Sequence, residues 1–267
     1  MTSVNIPLRS RSFGETMRGD AWWIQPLLVF AGLSAFVVYS TWAALQNAHY
    51  HWGSYLSPFY SPELFGESPH SWFGPKPQWW PTALPFSPAF LILWAPAGFR
   101  LTCYYYRGAY YKAFWADPPS CTVGEPRKSY RGENSFPLIL QNLHRYFLFL
   151  ALMFLVVLAY DAWKALWFTN PATGQTSFGI GVGSLVLIMN VILLGSYTLS
   201  CHSLRHFTGG YLNHLSKMPM RHAAYNCVSC LNRRHMLYAW MSLFGVGFAD
   251  LYVRMCAMGI WTDWRIL

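Results

Sequence analysis

Six side chains of types that bind metals stand in otherwise apolar surroundings: Cys103, His144, Cys201, His202, His206 and His235. Three of them fall in Gly-Ser-Tyr-Thr-Leu-Ser-Cys-His-Ser-Leu-Arg-His, residues 195–206, which closes a long apolar run. Ionisable or metal-ligating residues are costly at membrane depth, so function is their default reading. His202 and His206 are spaced i, i+4 and share a helix face. The others lie in separate apolar segments, and only a helix bundle could bring them to one depth.

Two redox chemistries suit this set. A haem held by two histidines needs only His144 plus His202 or His235, and leaves the cysteines without a role. A two-iron cluster with two cysteines on one iron and two histidines on the other uses both types. Its neutral imidazoles raise the potential and make burial in hydrocarbon less costly. Soluble centres of this kind use closely spaced Cys-x-His pairs, which this chain lacks, so the cluster requires one ligand from each of four helices. The blander alternative for a buried cysteine is packing, the reading given to Cys256. Cys227-Val-Ser-Cys230 is a lone Cys-x-x-Cys and a weak zinc signal. His49, His51 and His70 read as surface histidines.

The composition is that of a membrane protein. The chain is 54% hydrophobic and 11% charged, against about 25% charged in soluble domains. Aromatic residues make up 19%, including 14 Trp, as interfacial belts require. The formal charge of +9 is carried in short segments between apolar runs. That is the positive-inside pattern and excludes a nucleic-acid-binding face. Six cysteines do not read as a disulfide framework, and residues 1–20 show no cleavage pattern.

The elements that must position the six donors are five apolar spans, at about 21–45, 86–115, 137–168, 178–206 and 231–261. The expected fold is an all-α membrane protein, a single five-transmembrane-helix domain over 1–267. Arg9, Arg11 and Arg18 place the N-terminus in the cytoplasm, and the odd number of spans puts the C-terminus outside. The basic segments 117–136 and 207–232 are inner loops, the first a docking surface through Arg127, Lys128 and Arg131. The outer segment 46–85, rich in Pro, Gly and aromatics, is expected to resist regular structure and lie flat at the interface. Arg100, Cys103 and Arg107 fall on one helical face. His144 lies roughly 10 Å inside its span at 1.5 Å per residue. Asp161–Lys164 and Asp250–Arg254 are spaced to pair. Neither an internal repeat nor an interrupted helix pair is legible, which argues against a transporter or channel.

Phe-Arg-Leu-Thr-Cys-Tyr-Tyr-Tyr-Arg-Gly-Ala-Tyr-Tyr at 99–111, Leu-Ile-Leu-Gln-Asn-Leu-His-Arg-Tyr at 138–146 and Ser-Cys-His-Ser-Leu-Arg-His at 200–206 resemble the membrane-anchor subunit of actinobacterial succinate dehydrogenase, the mycobacterial Sdh1 type of complex II. The resemblance covers all five spans. It implies a bacterial inner-membrane location and two partner subunits. One is a flavoprotein carrying FAD that oxidises succinate; the other is an iron–sulphur protein. It also implies a quinone, menaquinone being the expected one, and a higher oligomer as one possible assembly. Anchors of this type are thought to carry a Rieske-type 2Fe–2S cluster where related anchors carry haem b. On that basis Cys103, His144, Cys201 and His235 are the expected ligands, one per helix, with His202 and His206 in reserve. Arg107, Tyr110 and Tyr111 are the expected quinone contacts, with Arg100, Arg145 and Arg205 as alternatives.

Overall fold

The computed structural model describes residues 12–127, 134–136, 138–170 and 173–267. Arg9, Arg11, Lys128 and Arg131 lie outside the described residues. Four helical segments among those described are long and apolar enough to cross a membrane: α1 (Ile24–Gln46), α5 (His144–Lys164) with the 3-10 turn Leu138–Leu143 that leads into it, α6 (Val182–Leu199) and α9 (His235–Ala257). α1 is apolar on all sides and little buried, as a lipid-facing helix is.

The remaining expected span, 86–115, is not one helix. It forms α2 (Pro88–Ile92), α3 (Trp94–Leu101) and α4 (Tyr104–Ala113). Pro88 starts α2, Pro96 offers no N–H to a helix ladder, and Thr102-Cys103 interrupts the path before α4. Arg100, Cys103 and Arg107 therefore do not share one continuous helical face. The span expected at 178–206 is broken as well: α6 ends at Leu199 and α7 (His202–Gly209) begins after Cys201. Two interrupted helices thus stand where the sequence showed none. The segment 207–232 is no plain loop either, because α8 (Pro219–Asn232) occupies most of it.

The chain divides into two compact units, Met1–Ala35 with Leu101–Asn142 and Phe36–Arg100 with Leu143–Leu267. In the first, the N-terminal segment pairs with the loop after α4. Gly14 and Gly124 share a backbone hydrogen bond of 3.0 Å, and Arg18 donates to the Cys121 carbonyl at 3.0 Å. Both therefore lie on one side. Arg127 is paired with the buried Asp117 at 2.9 Å.

In the second unit α6 packs along α9. Segment 47–86 is not flat. Its hairpin β1 (His51–Trp52) and β2 (Tyr55–Leu56) leads into a buried run in which Tyr55, Tyr60 and Glu63 are fully enclosed. Ser57 gives its hydroxyl to Asp250 of α9 and Ser61 to Asp161 of α5, so this stretch stitches two helices through their carboxylates. Asp250 and Arg254 pair at 3.3 Å as expected, and Arg254 also donates to the Ala48 carbonyl at 2.7 Å. The expected Asp161–Lys164 pair gives way to Ser61, and the Lys164 ammonium lies 5.6 Å from the Tyr160 ring. Gly183 leaves room for the Tyr55 ring, which a Cβ there would meet at 2.3 Å.

His70 is buried rather than a surface histidine, and its Nε2 donates to the Gly53 carbonyl at 3.1 Å. Burial lowers its pKa from the ordinary histidine value. The hairpin of β3 (Trp167–Thr169) and β4 (Thr176–Phe178) and the tail close the same end: Ile180 and Leu267 share a backbone bond of 3.1 Å, and Tyr55 donates to Asp263 at 2.8 Å.

Candidate redox site

Cys103 and Cys201 occupy matching positions in their two units. Each is buried. Each is the residue before a helix, with φ −62° and ψ 133° for Cys103 and φ −62° and ψ 138° for Cys201. Each carbonyl accepts the N–H four residues on, from Arg107 at 2.9 Å and from Arg205 at 3.1 Å. The local sequences explain the likeness: Leu-Thr-Cys-Tyr-Tyr-Tyr-Arg at 101–107 and Leu-Ser-Cys-His-Ser-Leu-Arg at 199–205 share Leu-[Thr/Ser]-Cys-x-x-x-Arg. This short repeat went unread in the sequence, where apolar periodicity ran through both breaks. Non-helical backbone at membrane depth is tolerated where it lines a protein site, and a helix N-terminus favours a negatively charged neighbour such as a metal thiolate.

In the second unit the break after α6 gathers two histidines. His144, at the start of α5, has Nε2 3.1 Å from the Cys201 sulfur. Its ring stacks on Phe99 with centroids 4.7 Å apart and also bonds the Phe99 backbone. Phe99 reaches this place because Gly98 leaves space for Phe147 of α5; a Cβ on Gly98 would come within 2.2 Å of that ring. His235, at the start of α9, stacks on Tyr197 at 5.0 Å. Its Nδ1 is 2.7 Å from the Ser200 hydroxyl. The same hydroxyl lies 3.0 Å from the Tyr197 carbonyl, so Ser200 ties the imidazole to the end of α6. Asn232 holds the Ser200 carbonyl at 2.7 Å, satisfying a backbone group freed by the break. Ser200, Asn232, Phe99 and Tyr197 were not read as site residues; their roles depend on the fold.

Arg100 completes this end. Its guanidinium lies 4.6 Å from the Tyr197 ring and donates to the Ala239 carbonyl at 3.3 Å and the Ser242 hydroxyl at 3.0 Å. It borders a cavity of about 150 Å³ whose walls are mostly apolar, with Phe36, Phe59, Phe99 and Leu155, and also include Ser40, Tyr197 and Thr198.

The chain's other candidates are placed as follows. Arg107 lies over the Tyr104 ring at 4.5 Å, Tyr110 donates to the Leu101 carbonyl at 2.9 Å and accepts from Gln141, and Tyr111 is buried. His202 and His206 are exposed and bond each other at 3.0 Å. Among the described residues no group of three or more His, Cys, Asp or Glu converges closely enough to hold a metal ion. The donor types do fit an iron centre. Two thiols sit at helix starts, and each of two imidazoles is held by a hydrogen bond and a stacked ring, as metal-ligating histidines are oriented by their neighbours.

The family model of the actinobacterial succinate dehydrogenase subunit SdhC matches residues 24–259. The chain belongs to this family. It is a multi-pass membrane subunit of a bacterial succinate dehydrogenase complex. A chain of the Mycobacterium smegmatis Sdh1 complex in the apo form is similar at 44% identity, with a TM-score of 0.86 and 100% of both chains covered. A comparison with curated proteins gave no match.

Proposed function

We propose that this subunit carries electrons from an iron–sulphur partner to a membrane quinone through a Rieske-type 2Fe–2S cluster. Cys103 and Cys201 would hold one iron, and His144 and His235 the other. The contact between His144 Nε2 and the Cys201 sulfur is the observation that carries this reading, because it brings a thiol and an imidazole together at a broken helix. A bound cluster supplies one-electron transfer at a potential raised by its two neutral ligands. The chain's own residues do the positioning. Ser200 holds His235 through Nδ1, Phe99 and Tyr197 clamp the two rings, and Cys103 and Cys201 sit at helix starts.

The quinone head group is assigned to the cavity beside Arg100. A guanidinium at the edge of an apolar pocket suits a carbonyl oxygen that gains charge on reduction. Arg107, Tyr110 and Tyr111 form the second candidate, although Arg107 and Tyr110 already engage neighbours within α4 and its flanks. The partners are the flavoprotein, which carries FAD, and the iron–sulphur subunit, docked on 117–136 and 207–232. The pairing of the N-terminal segment with 120–124 supports one shared side for those two, read as cytoplasmic, with 86–115 as the fifth crossing.

Electron paramagnetic resonance of the reduced complex tests the reading. A signal of low average g is expected. A low-spin haem signal in the oxidised state would replace the cluster by haem b bound between histidines. A colourless, iron-free subunit would remove the redox role altogether.

A further inference from the structure

His202 and His206 are one turn apart on α7, outside the four long apolar segments. Both rings are exposed, and their Nε2 atoms converge at 3.0 Å with the ring planes 85° apart. Two nitrogens bound to one zinc-class ion at about 2.0–2.1 Å are separated by about 2.9 Å at a right angle and about 3.3 Å at the tetrahedral angle. The observed separation lies between these values. The i, i+4 spacing on a helix is the same geometry by which two histidines chelate zinc in metalloprotease helices.

We propose that His202 and His206 form a solvent-facing chelate for a divalent transition ion of the zinc class, with water completing its coordination. The hydrogen bond between the two rings requires one Nε2 to carry a proton and the other a lone pair. Binding needs lone pairs on both, and the first ring supplies its own by moving its proton to Nδ1 through solvent. No net proton is released. Arg205, the cation between them in sequence, turns its guanidinium to Ser229 at 3.0 Å and Tyr225 at 2.8 Å on α8. The site holds two protein ligands and therefore exchanges its ion, unlike a closed structural centre.

The test is zinc titration of the detergent-solubilised complex against a chromophoric chelator. A Cys227→Ser/Cys230→Ser background removes the exposed thiols of α8. One exchangeable zinc equivalent per chain is expected, lost in both His206→Ala and His206→Gln. Copper(II) added to the same background should show hyperfine coupling to two equatorial nitrogens, reduced to one in either variant. Zinc uptake that is absent from the background protein, or unchanged in the His206 variants, would overturn the proposal.

Discussion

Nδ1 of His235 lies 2.7 Å from the hydroxyl of Ser200, at the point where one membrane helix has stopped and the next has not begun. The hydroxyl also lies 3.0 Å from the Tyr197 carbonyl, so it ties the ring to the end of α6. Removing it frees the ring. Ser200→Ala is expected to lower quinone reduction about 10–100-fold, the cost typical of losing such a supporting bond. Succinate oxidation with a soluble dye should be unchanged, the cluster's resonance should shift, and Ser200→Thr should restore both. An unaltered resonance in Ser200→Ala would show that the hydroxyl does not position the ring.

Replacing His144 and His235 together by Ala should abolish quinone reduction while dye-linked succinate oxidation survives, since the flavin lies in another chain. His202→Ala alone is the control and should keep quinone reduction. Loss of the cluster signal in the control, with retention in the double variant, would move the histidine ligands to α7.

Sidedness can be read with the cysteines already present. Cys121, Cys227 and Cys230 are exposed and should react with impermeant thiol reagents from the cytoplasm only. Ser68 is buried, so the opposite face is better reported by Glu67→Cys, which is exposed and should label from outside. The reverse pattern would invert the assigned orientation.

Asp250 accepts from Tyr39 at 2.6 Å and from Ser57, and pairs with Arg254. Both charges are buried, with Asp250 0% and Arg254 1% exposed. Asp250→Ala leaves the guanidinium without its counter-charge and should cost about 3–5 kcal/mol. Thermal unfolding in detergent measures this. A change below about 1 kcal/mol would mean that the carbonyls of Ala43 and Ala48 suffice for Arg254.

Burial holds the pKa of His70 below the ordinary value of about 6.5. The undocked loop therefore binds more protons than the docked loop between 6.5 and the lowered value. Docking is unaffected above pH 6.5 and weakens as the pH falls toward the folded-state pKa. Proteolysis within 47–86 should accelerate on mild acidification of that face, and His70→Gln should flatten the response. Equal acid sensitivity in the variant would place the titrating group elsewhere.

Local features were legible in the sequence. Runs of about twenty apolar residues must become helices in hydrocarbon, because only internal hydrogen bonds satisfy the backbone there. Four such segments formed, and the i, i+4 spacing of Asp250 and Arg254 sufficed to pair them. The donor types and their resemblance to a succinate dehydrogenase anchor were equally readable. The tertiary structure alone decided the breaks at Cys103 and Cys201, since hydropathy runs through both. A helix can stop there only if distant groups take up its freed backbone, as Asn232 does for the Ser200 carbonyl. It also redirected Asp161 to Ser61, one hundred residues away, over a lysine three residues along its own helix. It buried His70 within a segment whose composition looked superficial. In each case the deciding partner is remote in the chain, and neither spacing nor composition records which remote hydroxyl or carbonyl a side chain will meet.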